Sequence, residues 1–269
     1  MAELADAYGS GPYGVTLGGS NPLVSIFHPD QPDTSLLPQQ DPEFVRRTFS
    51  SISKRYDFAN HLLSGGVDFF WRKTVAQLVA ERNPSTVLDL ATGSGDLAIA
   101  IQKRSPHARV VGADFCFPML EEAAGKNVPL LVQADALRLP FRSESFDVAT
   151  VAFGLRNMAS WKKALSEMGR VLRPGGSLFV LDFSLPENRI VRLLYRLYLH
   201  HVLPKIAGWA TGQPEAYEYL GESIEAFPRG SGMTALMESC GLRCARPRAM
   251  CLGIVSLYVA ERNSRSNAV

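Results

Sequence analysis

The segment Val87-Leu88-Asp89-Leu90-Ala91-Thr92-Gly93-Ser94-Gly95-Asp96 constrains this chain more than any other. A short apolar run reads as a buried strand, and two glycines close it in a tight loop at the start of a helix. Gly93 and Gly95 let the backbone approach a ligand closely, and the unpaired N–H groups of the helix start lie just beyond. Asp114 ends the next strand 19 residues after Gly95, the spacing of a carboxylate that accepts hydrogen bonds from two ribose hydroxyls. Asp135-Ala136 ends the third strand, where a carboxylate and the adjacent N–H can read an adenine edge.

The rest of the pattern repeats that unit. Strands are expected at Thr86–Leu90, Arg109–Ala113, Leu130–Gln133, Phe146–Ala152 and Ser177–Phe183, with helices between them and a turn at Arg173-Pro174-Gly175-Gly176. Such alternation predicts a parallel, doubly wound, Rossmann-like sheet whose strand ends meet at one rim. The chain then changes character, with a helical insert over about 188–228 and a helix near Thr234–Ser239. Arg243–Arg248 and Ile254–Ala260 follow as a terminal antiparallel hairpin. Ahead of the sheet, Asp41-Pro42-Glu43 opens a helical cover over 41–84, in which Asp68 reads as a helix cap. Residues 1–40 hold five glycines, five prolines and neither Lys nor Arg, and read as a flexible tail, as do residues 263–269.

Composition removes several alternatives. A net charge of +2 does not suit a nucleic-acid binder. No apolar run is long enough to span a bilayer, and neither a secretory signal nor a transit peptide fits the first residues. Cys116, Cys240, Cys244 and Cys251 form no CxxC pair and no ligand set with the histidines, so no metal site or disulfide is expected, and a reducing cytoplasm suits the chain.

Gly93-x-Gly95-x-x-Ala98 also matches the dinucleotide fingerprint, so the spacing alone leaves a dehydrogenase open. Two features favour S-adenosylmethionine. Asp89 and Asp96 flank the loop and suit a cationic, zwitterionic methionine moiety better than a pyrophosphate. The terminal hairpin is that of a class I methyltransferase rather than of a second nucleotide-binding half.

Over roughly residues 43–262 the chain resembles the ubiquinone/menaquinone biosynthesis C-methyltransferases. The resemblance is carried by Arg55-Tyr56-Asp57-Phe58-Ala59-Asn60, Leu63-Ser64, Trp71, Phe153-Gly154-Leu155-Arg156-Asn157, and Arg170–Gly176 leading into Asp182-Phe183-Ser184. His201-Val202-Leu203-Pro204 and Tyr217-x-Tyr219-Leu220-x-x-Ser223-Ile224 follow in the family's order. The chain departs from the family's usual Met at Ala59, His at Asp68, Thr at Ser94, Glu at Asp182 and Ser at Ala152. Ser94 keeps the hydroxyl, and Ala152, beside the cofactor, keeps only backbone contacts.

The resemblance implies transfer of a methyl group to a ring carbon of a demethylmenaquinol or an equivalent polyprenyl benzoquinol, leaving S-adenosylhomocysteine. Another phenolic or polyketide ring is the alternative substrate, and a non-catalytic subunit of a biosynthetic complex is the alternative class. Ring methylation needs the ring hydroxyl to lose a proton that, like tyrosine's, leaves near pH of about 10. Arg156 is expected to stabilise the resulting phenolate, because a guanidinium stays protonated. Asn157 would position a water or ring oxygen, Tyr56 would close the pocket, and His201 is the candidate for the proton. The plainer roles are packing for Tyr56, a structural His201 and an ion-pair Arg156.

In the insert, Arg189, Arg192, Arg196 and His200 share one helical face, with Ile190, Val191, Leu193, Leu194, Leu197 and Tyr198 on the others. This suits transient docking at an anionic membrane surface, at the inner membrane face, or equally a lid packed on the core with its basic side in water. A homodimer is compatible with either.

Overall fold

The computed structural model describes residues 23–25, 66–205 and 214–264, with the backbone alone at 23–25 and 214–218. Tyr56, the helix start at Asp41 and the motif Arg55–Asn60 lie outside the described residues.

Among the described residues the nine strands are β1 (Leu23–Ser25), β2 (Thr86–Leu90), β3 (Arg109–Asp114), β4 (Leu131–Gln133), β5 (Phe146–Ala152), β6 (Leu172–Phe183), β7 (Leu242–Cys244), β8 (Arg248–Met250) and β9 (Val255–Arg262). They form one sheet in the order β1-β4-β3-β2-β5-β6-β9-β7, with β8 also on β9. Strands β1 to β6 run parallel, and β9 is antiparallel to β6, β7 and β8. This is the expected doubly wound sheet with its antiparallel end.

The helices are α1 (Asp68–Ala80), α2 (Asp96–Arg104), α3 (Phe117–Gly125), α4 (Trp161–Val171), α5 (Arg189–Leu197), α6 (Pro214–Ala226) and α7 (Ser231–Ser239). Neighbouring strand residues serve opposite layers, as a period of two requires. Val87, Val110, Val148 and Phe179 pack under α1, α2 and α3, against Val75, Ile101 and Leu120. Leu88, Val111, Ala149 and Leu178 pack on the other face against Leu165 and Met168 of α4 and Met233 and Met237 of α7. Each fully buried side chain of this size contributes about 1.5–3 kcal/mol.

Four local expectations change. Asp68 is not the cap of α1, which begins after Val67; it lies in the first turn and pairs with Arg72 four residues on. The turn expected at Arg173–Gly176 is absorbed into β6, where the register against β5 jumps from Leu172 to Ser177. The first hairpin strand is broken in two, because Pro247 has no N–H to donate to β9. Within the N-terminal stretch expected as a tail, Leu23–Ser25 pair with β4.

Candidate active site

Strands β2, β3 and β5 end at one rim, and the chain turns sharply as it leaves two of them. After β2, Ala91, Gly93 and Gly95 all have positive φ, 51°, 57° and 84°. Gly95 could hardly be anything else. A Cβ there would lie 2.5 Å from Val128 Cγ2 and 3.1 Å from the Ala123 Cβ. After β5, Phe153 has φ 59°. The loops frame a cleft open to solvent, with about 1190 Å3 of empty space counted out past its open mouth.

Asp89, at the cleft floor, is buried and fixed on both oxygens. Thr92 donates from Oγ1 at 2.7 Å and Thr150 from Oγ1 at 2.6 Å. Burial pushes its carboxyl up to about 6 against the pull of those two hydroxyls and of Arg72. Asp114 accepts from the Gly93 N–H at 2.8 Å and the Cys116 N–H at 2.8 Å. Burial raises this carboxyl too, while the backbone donors oppose the rise. Asp135 accepts from the Leu137 N–H at 2.8 Å and lines the cleft beside Ala136.

The eight residues expected to bind the cofactor therefore converge: Asp89, Gly93, Ser94, Asp114, Asp135, Ala136 and Ala152 line the cleft, and Gly95 shapes the loop behind them. The fit extends to charge. Asp96, at the start of α2, binds Lys126 Nζ at 2.7 Å through Oδ1, while its buried Oδ2 has no hydrogen-bond partner among the described residues and faces Arg72 at 4.0 Å. An uncommitted carboxylate oxygen beside a guanidinium suits a zwitterion and offers little to a pyrophosphate.

The catalytic set is brought together less fully. A turn of 3-10 helix, Leu155–Asn157, points two successive residues different ways. Asn157 lines the cleft; its Oδ1 accepts from the Tyr219 hydroxyl at 3.1 Å, and its Nδ2 donates to the Phe153 carbonyl at 3.5 Å. Burial pushes the Tyr219 phenol up, which keeps it a donor. Arg156 turns away from the cleft and is 6 % exposed. Its Nη1 donates to Asp182 Oδ1 at 2.7 Å and to the Phe153 carbonyl at 2.6 Å, and its guanidinium carbon lies 5.3 Å from the centre of the Phe183 ring. Its charge still reaches Tyr219 and Tyr195, where it works against the rise that burial causes. His201 sits exposed in the turn of π-helix Tyr198–Val202 after α5, and neighbouring His200 meets Glu225 at 3.0 Å.

Sequence reasoning missed Arg72, which lines the cleft 5.8 Å from the centre of the Phe153 ring. The i, i+4 spacing from Asp68 on a helix was the available signal. It also missed Thr92 and Thr150, since nothing in a sequence marks which hydroxyl holds a carboxylate.

Comparison with known proteins agrees with this geometry. The profile of the ubiE/COQ5 methyltransferase family matches residues 37–262. A demethylmenaquinone methyltransferase from Thermus thermophilus is 46% identical over 220 residues, 80% of this chain and 99% of that protein. The demethylmenaquinone methyltransferase of Deinococcus radiodurans is 41% identical, over 83% of this chain and 95% of its own length. The ubiquinone/menaquinone biosynthesis C-methyltransferase of Syntrophotalea carbinolica is 43% identical, over 84% and 96%. Among solved structures, a SAM-dependent methyltransferase from Thermotoga maritima has a TM-score of 0.57 at 15% identity, covering 81% of this chain and 99% of that one. An O-methyltransferase family protein from Burkholderia thailandensis has a TM-score of 0.56 at 17% identity, over 84% of this chain and 68% of that one. At such identities these two speak for the fold alone.

Proposed function

The chain belongs to the ubiE/COQ5 methyltransferase family, and on that premise we propose that it methylates a ring carbon of a polyprenyl quinol of the demethylmenaquinol type, with S-adenosylmethionine as donor. One observation carries the reading: carboxylates from the ends of three strands, Asp89, Asp114 and Asp135, meet in one cleft with Arg72 and Asn157.

Bound there, S-adenosylmethionine supplies an electrophilic methyl group on a sulfonium centre. Asp114 takes the ribose hydroxyls, and Asp135 with Ala136 takes the adenine edge. Asp89 and Asp96 face the positive end of the methionine moiety, and Arg72 its carboxylate. Ser94 and Ala152 complete the wall. Phe153 and Met158 keep water from the ring, which strengthens every charge interaction inside the cleft.

Asn157 holds the ring oxygen with its amide, and Tyr219 fixes which way that amide faces. Arg156 acts from behind this pair as a fixed positive charge that favours the ionised ring, without touching it. This keeps the electrostatic role expected from the sequence, exerted without contact. His201, exposed on the lid, takes no proton in this scheme. The ring hydroxyl's proton leaves to water at the open mouth of the cleft, the methyl–sulfur bond breaks as the methyl–carbon bond forms, and the displaced ring proton returns to the oxygen. Holding the ring carbon and the donor in line is where most of the acceleration comes from.

The test is an assay with methyl-labelled S-adenosylmethionine and short-tailed demethylmenaquinol or benzoquinol analogues, with the product's structure determined. Label on the ring carbon supports the reading. Label on a ring oxygen, or on neither quinol but on another phenol, overturns it.

A further inference from the structure

Helix α5 has two apolar stripes, and the structure uses one. Tyr195 and Leu199 turn inward to join Leu185, Leu203 and Ile224. The other stripe, Ile190, Leu193, Leu194 and Leu197, has the i, i+3, i+4, i+7 spacing of a helix face made for burial, yet Ile190 is 71% exposed, Leu193 60% and Leu194 61%. The sequence allowed a lid helix with its basic side in water; the structure places four aliphatic side chains in water as well.

A second apolar group stands on the turn that packs against the approach to α5. Leu252, 80% exposed, is held at φ 58°, a left-handed conformation that a branched side chain adopts at a cost. Its turn bridges the cleft wall and the lid. Cys251 Sγ accepts from Trp71 Nε1 at 3.3 Å, and Gly253 packs against Pro186, three residues ahead of α5. Phe183 ties the same parts together, with its ring 6.2 Å from that of Trp71 and its side chain packed on the lid cluster. The turn that carries Leu252 thus touches both the approach to α5 and Trp71, whose ring lies 5.8 Å from that of the cleft-lining Phe153.

We infer that the outer face of α5, with Leu252, is the surface by which the protein lies on an anionic lipid bilayer. Charge selects this occupant. Arg189 edges the apolar stripe on one side, and Arg192 lies farther round the same basic side, beyond Arg196 and His200, which are already held by Glu225. A second copy of the chain would bring these arginines close to their own images. Anionic headgroups would neutralise them while the leucines enter the acyl boundary. Among the described residues no helix is long and apolar enough to cross a membrane, so the contact is interfacial. The inference rests on the quinol reading only for its purpose: the prenyl tail could stay in lipid while the ring enters the cleft.

The experiment is co-sedimentation of the full chain with vesicles that contain no quinol, made of phosphatidylcholine alone or with phosphatidylglycerol. Binding should favour the phosphatidylglycerol vesicles and weaken in high salt. The double variant Leu193→Glu/Leu194→Glu should bind at least about tenfold more weakly, with unchanged mass by light scattering and near-native turnover on a short-tailed quinol. Arg189→Glu/Arg192→Glu, which leaves the apolar stripe whole, should lose the preference for anionic vesicles. Unaltered vesicle binding by both variants overturns the inference. A native dimer that the leucine variant converts to monomer identifies a second copy as the occupant and overturns it. Absence of vesicle binding by the native protein, with a lowered melting temperature in the leucine variant, assigns the stripe to the chain's own packing and also overturns it. Failure of the quinol reading looks different: no turnover on the short-tailed quinol while vesicle binding persists.

Discussion

Asp182 receives Arg156 at both ends of that residue: the backbone N–H lies 3.3 Å from Oδ2 and the guanidinium Nη1 2.7 Å from Oδ1. The pair joins the end of β6 to the turn after β5, so it holds Asn157 in place as well as charge. Removing one partner of a buried pair leaves the other uncompensated, at a cost of about 3–5 kcal/mol. Arg156→Met and Asp182→Asn should each lower stability by that order in denaturant titration. The double variant, which keeps an amide oxygen for one of the two backbone donors and leaves no orphan charge, should regain most of it. Its turnover should stay down by about a hundredfold, because the positive charge behind the ring is gone. Full recovery of turnover would make Arg156 a strut only.

Asp89 sets a pH limit on cofactor binding. Its carboxyl, lifted to about 6 by burial, must be ionised to attract a cation. Affinity for S-adenosylmethionine should therefore be full near pH 8 and fall as pH drops through about 6, approaching tenfold per unit for a single proton. Asp89→Asn should bind more weakly at pH 8 and lose this slope in calorimetry. A slope that persists in the variant would move the titration elsewhere, to Asp114 first.

Arg72 tests the polarity of the cleft. A charge-assisted pair with the cofactor's carboxylate is worth about 1.5–3 kcal/mol, so Arg72→Ala should weaken S-adenosylmethionine binding about tenfold or more. Decarboxylated S-adenosylmethionine lacks the group that Arg72 would meet, and the variant should bind it as the native protein does. An equal loss for both ligands would show that Arg72 serves Asp68 and Asp96 rather than the ligand.

Gly95→Ala should destabilise the protein itself. The added methyl collides with Val128, and overpacking of this kind costs about 1–3 kcal/mol before the left-handed backbone at φ 84° is counted. Thermal denaturation without ligand reads this directly. A melting temperature within a degree of the native one would mean that α3 and the loop can move apart freely.

The sheet was legible because each strand feeds both layers through alternate residues; Val87 and Leu88 already carry that pattern. The cofactor loop was legible because Gly93, Gly95 and the carboxylate 19 residues on combine backbone demands with chemistry. Direction was harder to read. Arg156 and Asn157 are neighbours, and only the tight turn that carries them decides that one faces Asp182 and the other the cleft. The helical wheel of α5 showed apolar residues on several sides, and only tertiary packing settles which stripe is covered. The broken edge strand could have been foreseen from Pro247. The register jump at Gly176 could not, since it depends on the partner strand.

The two backbone amides that hold the Asp114 carboxylate have a thermodynamic consequence. They tie the acceptor to the glycine loop through the protein's own backbone, so the order of the loop does not depend on the ligand. The conformational entropy of that segment is lost at folding rather than at binding. Association at this rim should therefore approach rigid docking, and affinity there should respond to the number of bonds the ligand makes more than to the stiffness of the loop.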